Sequence, residues 1–203
     1  MGVQEKRNKY KEEFRREILN SARDLFLAVG YEKFSMRRLA EKIDYSPTTI
    51  YHYFRNKDDL LLAICEEVAE QFLARMRYIR SVQRKPYEAL RQAMLYLMEF
   101  AFENPHQYKV FFLTRPNVYG RQEEFMKRES MARDSYLEFR EMVEACIEAG
   151  ELRHMDIEVL TQVLAAAPHG LITMTLYRDS FPWADRKVLA STLVDGLLKG
   201  FQK

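Results

Sequence analysis

The sequence predicts an all-α protein, and three observations carry that expectation. Apolar residues recur at i, i+3, i+4 and i+7 through most of its 203 residues, as in Met36, Leu39, Ala40 and Ile43. No stretch of useful length alternates apolar and polar residues as a half-buried strand does, and no segment repeats. The interruptions also fall at residues that start or stop helices, among them Gly30, Ser46-Pro47, Gly150 and Asp156.

The first element is a long helix from about Glu5 to Val29, with Phe14, Ile18, Ala22, Leu25, Phe26 and Val29 on one stripe and Gly30 as its stop. Its first turns carry Lys6, Arg7, Lys9, Lys11, Arg15 and Arg16, either as a solvated arm or as one that touches a polyanion backbone. Two short helices follow. The first starts at Ser35 and ends where Asp44 and Tyr45 break the pattern. Ser46 is placed to cap the second, with Pro47 at the first helical position, where its missing N–H costs nothing. Ile50 and Phe54 turn inward, which leaves Thr48, Thr49, Tyr51 and His52 outside. Asn56 then caps another helix, with Asp58 and Asp59 at the positive end of its dipole. Phe26, Phe34, Leu39, Ile50, Phe54 and Leu60 close a small core.

Two short helices joined by a sharp turn have the geometry of a helix-turn-helix, whose second helix enters the DNA major groove. The outward hydroxyls, the imidazole and the nearby Arg37, Arg38, Arg55 and Lys57 suit base edges and phosphates. On pattern alone, a pair of short helices in an ordinary bundle remains open. Charge favours the DNA reading. Residues 1–57 hold 13 Lys or Arg against 8 Asp or Glu, while the rest hold 19 against 22, so the basic excess coincides with the helix-turn-helix.

The run Ser46-Pro47-Thr48-Thr49-Ile50-Tyr51-His52-Tyr53-Phe54-Arg55-Asn56-Lys57-Asp58-Asp59-Leu60-Leu61 closely resembles the recognition segment of the TetR family of bacterial transcriptional regulators. The match extends upstream through Ala22-Arg23-Asp24-Leu25-Phe26, Gly30-Tyr31 and Ser35-Met36, and so covers about the first 60 residues at the right spacing. Asp44 stands where that family usually has glycine, and aspartate enters the left-handed region at modest cost. The resemblance implies base contacts from Thr48 and Thr49 and phosphate contacts from Ser35, Tyr51 and Lys57. Arg37, Ser46, Pro47 and His52 belong to the same DNA-binding set. It also divides the chain into a helix-turn-helix domain, 1–57, and a helical effector-binding and dimerisation domain, 58–203.

In the second part, a long helix from Lys57 to about Ser81 turns Leu61, Ile64, Cys65, Val68, Phe72 and Met76 inward. Tyr87 to Glu103 is apolar on more than one side, as a central helix would be. Asn104-Pro105 starts a short helix with Tyr108, Phe111 and Phe112, and Thr114-Arg115-Pro116-Asn117 breaks again. One helix is expected from about Gln122 to Ala149. The next is capped by Asp156 and reaches Tyr177 with a kink at Pro168. The last runs from about Ala184 to Gly200.

Methionines and aromatics are dense here. Most are core, but adaptable methionine and flat aromatic walls also suit an apolar ligand. By the resemblance, an effector binds between these helices, and Phe72, Met98, Phe102, Phe112, Tyr136 and Phe139 are the expected lining, with His169 and Thr173 as polar handles. Arg91, Arg115 and Arg140 either meet an acidic group or lie on a solvated face. Ala167-Pro168-His169-Gly170-Leu171, with Asn104-Pro105-His106-Gln107-Tyr108, is similar to the Trp-His-Gly subclass of effector domain, although its tryptophan is absent. Leu160, Leu164, Leu171 and Met174, then Leu189, Leu193, Leu197 and Phe201, form one apolar stripe more than a monomer core needs. By the resemblance, the last two helices form a homodimer interface.

Other classes are disfavoured. No nucleophile–base pair, metal-ligand spacing or phosphate loop is visible, so an enzyme, a metal site and a cofactor are not expected. Cys65 and Cys146 read as buried free thiols. No run of 18 consecutive apolar residues and no apolar leader is present, so a cytoplasmic, nucleoid-associated protein without a membrane span is expected. The expected function is a repressor that binds a palindromic DNA operator as a homodimer and is released by a small apolar or acyl-type effector. The alternative is a DNA-bound interaction protein with no small-molecule effector.

Overall fold

A computed structural model describes residues 2–113, 119–178 and 180–203. Ten α-helices are present among them: α1 (Val3–Lys33), α2 (Met36–Lys42), α3 (Pro47–Tyr51), α4 (Lys57–Val82), α5 (Pro86–Glu103), α6 (Pro105–Tyr108), α7 (Gln122–Phe125), α8 (Met131–Glu148), α9 (Ile157–Tyr177) and α10 (Arg186–Gly200). A π-helical turn, Lys109–Leu113, follows α6. Extended pairing among the described residues is one isolated bridge between Leu152 and Gln202.

The helices group into two compact units. The first takes Met1–Val68 and Lys109–Lys127, and the second takes Ala69–Tyr108 and Arg128–Lys203. These limits are drawn differently from a division at residue 57. They assign the start of α4 and the whole 109–127 segment to the first unit.

In the first unit, Phe14, Ile18, Leu19, Ala22 and Phe26 of α1 pack with Leu39, Ala40, Ile50, Phe54, Leu60 and Ile64. All six core residues expected from the pattern are buried, and Phe26 stacks on Phe34 with ring centroids 3.9 Å apart. Val110 joins this core, so the π-helical turn packs with the N-terminal helices. Gly30 breaks the helical course as expected, but α1 resumes beyond it to Lys33. Thr114-Arg115-Pro116-Asn117 lies outside the described residues.

In the second unit, α5 packs against α8, α9 and α10. Leu90, Met94, Met98 and Ala101 are almost completely buried on it, which is the central position that its all-round apolar character implies. The single helix expected from Gln122 to Ala149 is instead two, α7 and α8. Ser130 ends the gap between them by accepting the backbone N–H of Arg133 through its side chain, an N-cap that starts α8. The last helix begins two residues later than expected, because Asp185 accepts from the N–H groups of Lys187 and Val188. α9 passes Pro168 without interruption.

Burial also corrects the apolar stripe of the last helices. Leu160 and Leu164 are fully buried within their own unit. The outer apolar side chains are Val159, Val163, Met174 and Tyr177 of α9 and Val188 of α10, while Leu189, Leu193, Leu197 and Phe201 are half-buried. α9 has the length and apolar content of a membrane span despite lacking an unbroken apolar run. Its Leu160, Thr161, Leu164, Ile172 and Thr175 are packed inside the second unit, as in a core helix with one apolar face uncovered.

Both thiols are buried and free, and burial pushes each up to about 12. Neither is a thiolate near neutral pH, which removes the species that thiol exchange requires.

Candidate nucleic-acid interface

Each short helix of the first unit is started by its own sequence. Ser35 caps α2 by accepting the N–H of Arg38 at 3.2 Å, and Ser46 caps α3 by accepting that of Thr49 at 3.2 Å. Between them Asp44 holds φ +59°, the left-handed turn position that glycine would otherwise supply. Asn56 accepts the N–H groups of Asp58 and Asp59, both at 2.9 Å, and so caps α4.

With Ile50 fully buried and Phe54 nearly so, α3 presents Pro47, Thr48, Tyr51 and His52 to solvent. Thr49 departs from the outward set. It is half-buried, and its hydroxyl lies 2.9 Å from that of Ser46. Arg37 is 82% exposed and bonds Glu41 one turn along α2. Tyr51 is 52% exposed.

Lys57 is more constrained than its spacing suggested. Its ammonium donates to the Tyr31 carbonyl at 3.3 Å and sits 4.1 Å from the centroid of the Tyr31 ring, while the Tyr31 hydroxyl bonds Asp58. This engages one of three ammonium donors and fixes where the others point. The residue that sequence reasoning missed is therefore Tyr31. Its signal was present in Gly30-Tyr31, which sets the ring down opposite α4.

The expected effector residues lie as follows. Phe72 packs edge-on to Phe100 at 4.7 Å, and Met98 is fully buried. The guanidinium of Arg186 lies over the Phe102 ring at 5.4 Å. Phe139 is half-buried on α8. Phe112, beside Phe111, falls in the first unit, whereas the other seven belong to the second. The Tyr136 hydroxyl donates to Glu158 at 2.8 Å, alongside Arg140, at the outer seam of α8 and α9. Arg91 is paired with Asp195 at 2.5 and 3.0 Å, so both arginines are held by carboxylates, and Arg115 lies outside the described residues.

His169 and Thr173 share a partner that spacing did not reveal. The fully buried Tyr108 places its hydroxyl 2.7 Å from Nδ1 of His169, and Thr173 lies near enough to Tyr108 to act on its phenol. Burial holds the His169 imidazole below its ordinary range and pushes the Tyr108 phenol up. A neutral imidazole protonated on Nε2 accepts the phenol proton at Nδ1, so the two neutral forms satisfy each other.

A pH dependence follows. Below about pH 6.5 the unfolded chain binds a proton that folded His169 resists, so stability falls as pH decreases from there, by at most about 1.4 kcal/mol per pH unit. Above that pH both states are neutral and the contribution is flat. Urea titrations at pH 7.5 and 5.5 should show a drop in wild type that is smaller in His169→Gln. Equal drops would mean that His169 is solvated.

A five-residue helix that is serine-capped, held by Ile50 and Phe54 and turned outward after a left-handed Asp44 makes this a helix-turn-helix protein. Residues 18–64 match the family of bacterial regulatory proteins named tetR. Over this segment, which holds α2, α3 and the start of α4, the chain is similar to that family. An HTH-type transcriptional repressor of Mycobacterium tuberculosis is 43% identical over 60 residues, 30% of this chain and 32% of that protein. An HTH-type transcriptional regulator of Staphylococcus aureus is 28% identical over 92 residues, 45% of this chain and 50% of that one. The chain thus spans half or less of the length of these curated relatives.

Among solved structures, FadR of Bacillus subtilis, a transcriptional regulator in complex with stearoyl-CoA, superposes with a TM-score of 0.77 at 18% identity. That match covers 92% of this chain and 99% of FadR. A TetR/AcrR-family regulator of Thermobifida fusca gives 0.68 at 22% identity, over 94% and 100%. At these identities the likeness is one of fold, and it extends through the second unit.

Proposed function

We propose that the chain is a homodimeric, ligand-responsive transcriptional repressor that acts in the cytoplasm and reads a palindromic operator with α3. The observation that carries this reading is the exposed row Thr48, Tyr51 and His52 on a helix whose other side is locked into the core. Thr48 and Thr49 read base edges. Ser35, Tyr51 and Lys57 hold phosphates, and Arg37, Ser46, Pro47 and His52 border them.

The uncovered face of α9, with Val188 of α10, supports a two-fold interface through the last two helices. Such a dimer would set two copies of α3 about 34–36 Å apart, one DNA turn. The effector binds within the second unit, near Tyr108, His169 and Thr173, lined by residues such as Phe72, Met98 and Phe102. The stearoyl-CoA of FadR supports an acyl-type ligand. Effector binding displaces the second half of α4, a helix that both units share. A coupling of about 1–3 kcal/mol lowers operator affinity about 5–150-fold.

Fluorescence anisotropy on the DNA flanking the protein's own gene, against a scrambled duplex across a salt series, tests the reading. A preference of about a thousandfold supports it. Equal affinity for both duplexes, or none for either, would sink it. On the preferred duplex, Tyr51→Phe is expected to weaken binding, and Lys57→Ala to lower the salt slope by about one per protomer. An unchanged slope would remove Lys57 from the phosphate contacts.

A further inference from the structure

The basic run at the start of α1 is not used by the recognition helix, yet it is anchored beside it. α1 is helical from Val3, and Phe14 on its fourth turn packs against Tyr45 at 4.4 Å and Tyr53 at 5.2 Å. One turn earlier, Tyr10 lies near Tyr45, the residue immediately before the N-cap of α3, and raises its phenol above the ordinary range. The Tyr10 ring is otherwise exposed, so the arm runs past the end of the recognition helix instead of folding into the core. Helical spacing places Lys6 and Arg7, at i−4 and i−3 from Tyr10, on the face that Tyr10 and Phe14 turn toward Tyr45. Among the described residues neither has an acidic partner, whereas Lys9 pairs with Glu13. Asp44 and Glu17 are the carboxylates near Tyr45, so the arm becomes cationic only beyond Tyr10.

We propose that this helical arm is a second DNA contact, in which Lys6 and Arg7 bind backbone phosphates flanking the half-site read by α3. The proposal rests on the DNA-binding reading above and extends its footprint outward. The occupant is a nucleic-acid backbone, because the arm offers two adjacent cations that, among the described residues, have no acidic partner. Phosphates recur about every 3.4 Å along one strand, which suits neighbouring cations. The arm does not enter the minor groove, and α3 already takes the major groove of the half-site. A helix with side chains is about 10–12 Å across, too wide for a minor groove of about 6 Å. The contact therefore adds affinity without adding sequence preference.

The test uses the full chain on the duplex that wild type prefers. Lys6→Ala with Arg7→Ala should reduce the slope of log K against log salt by about 0.9 for each phosphate lost, about 1.8 per protomer. Its preference over the scrambled duplex should stay within about threefold of wild type. The control pair, Lys9→Ala with Arg16→Ala, removes the same charge from positions centred about a third of a turn around the helix and should change the slope by less than half as much. Equal slope changes in the two pairs would mean diffuse attraction only, and no change in either would mean a solvated arm; both overturn the proposal. Failure of wild type to prefer any duplex is a separate result, which overturns the DNA reading itself.

Discussion

Phe54→Ala is expected to destabilise the first unit by about 3–5 kcal/mol and to abolish specific DNA binding. Phe54 is 3% exposed and lies just after α3, with its N–H bonded to the Ile50 carbonyl at 3.0 Å. The guanidinium of Arg15 sits 5.3 Å from its ring centroid. A five-residue helix has no independent stability, because nucleation costs more than so few hydrogen bonds return. Packing of Ile50 and Phe54 therefore decides where α3 lies. Set against about 5–15 kcal/mol for a whole domain, such a loss is a large fraction of what holds the reading head. Phe54→Leu, which keeps most of the volume, should cost about 1.5 kcal/mol or less and retain binding. Urea unfolding followed by far-UV circular dichroism measures the loss. The sole tryptophan, Trp183, reports on the second unit separately. A cost below about 1 kcal/mol for the alanine variant would show that the ring is not packed as described.

What was legible in the sequence was the chemistry that acts over four residues or fewer. Ser35, Ser46, Asn56, Asp156 and Asp185 each stand two or three residues before the N–H groups that they accept, so the starts of five helices were readable or nearly so. Asp44 was readable as a left-handed residue for the same reason, since the cost is local to its own backbone. The start of α8 was missed although Ser130 carries the same signal. Neither Gly nor Pro marks the gap before it, and Phe125, Ala132 and Tyr136 continue a plausible stripe across it.

Contacts between distant segments were not legible. Tyr108 and His169 are 61 positions apart, and both sit on apolar stretches where periodicity records burial but not partners. The burial of Leu160 and Leu164, with Val159 and Val163 outside, turns on which flank of a broadly apolar helix meets α5 and α8. An apolar stripe wider than one face cannot signal that choice. Val110 is a further case, because only tertiary packing brings residues 109–113 to the core of α1.

Gly30→Ala is expected to cost about 1–3 kcal/mol, from backbone conformation alone. Gly30 has φ +76° and ψ 164°, a region that essentially only glycine enters, and it separates two helical stretches of α1. A Cβ there would meet no atom within 4 Å, so steric crowding contributes nothing. This reverses the usual sign. Glycine to alanine in an ordinary helix interior stabilises by about 0.5–1 kcal/mol. The reversal also reaches the DNA surface. Gly30 sets the direction of Tyr31, whose carbonyl holds the Lys57 ammonium and whose hydroxyl meets Asp58 at the start of α4. The variant should therefore lose operator affinity in parallel with stability. Thermal unfolding and anisotropy on the same preparation measure both. A stabilised Gly30→Ala protein would mean that α1 runs straight through residue 30 in solution, and that Lys57 is not positioned by Tyr31.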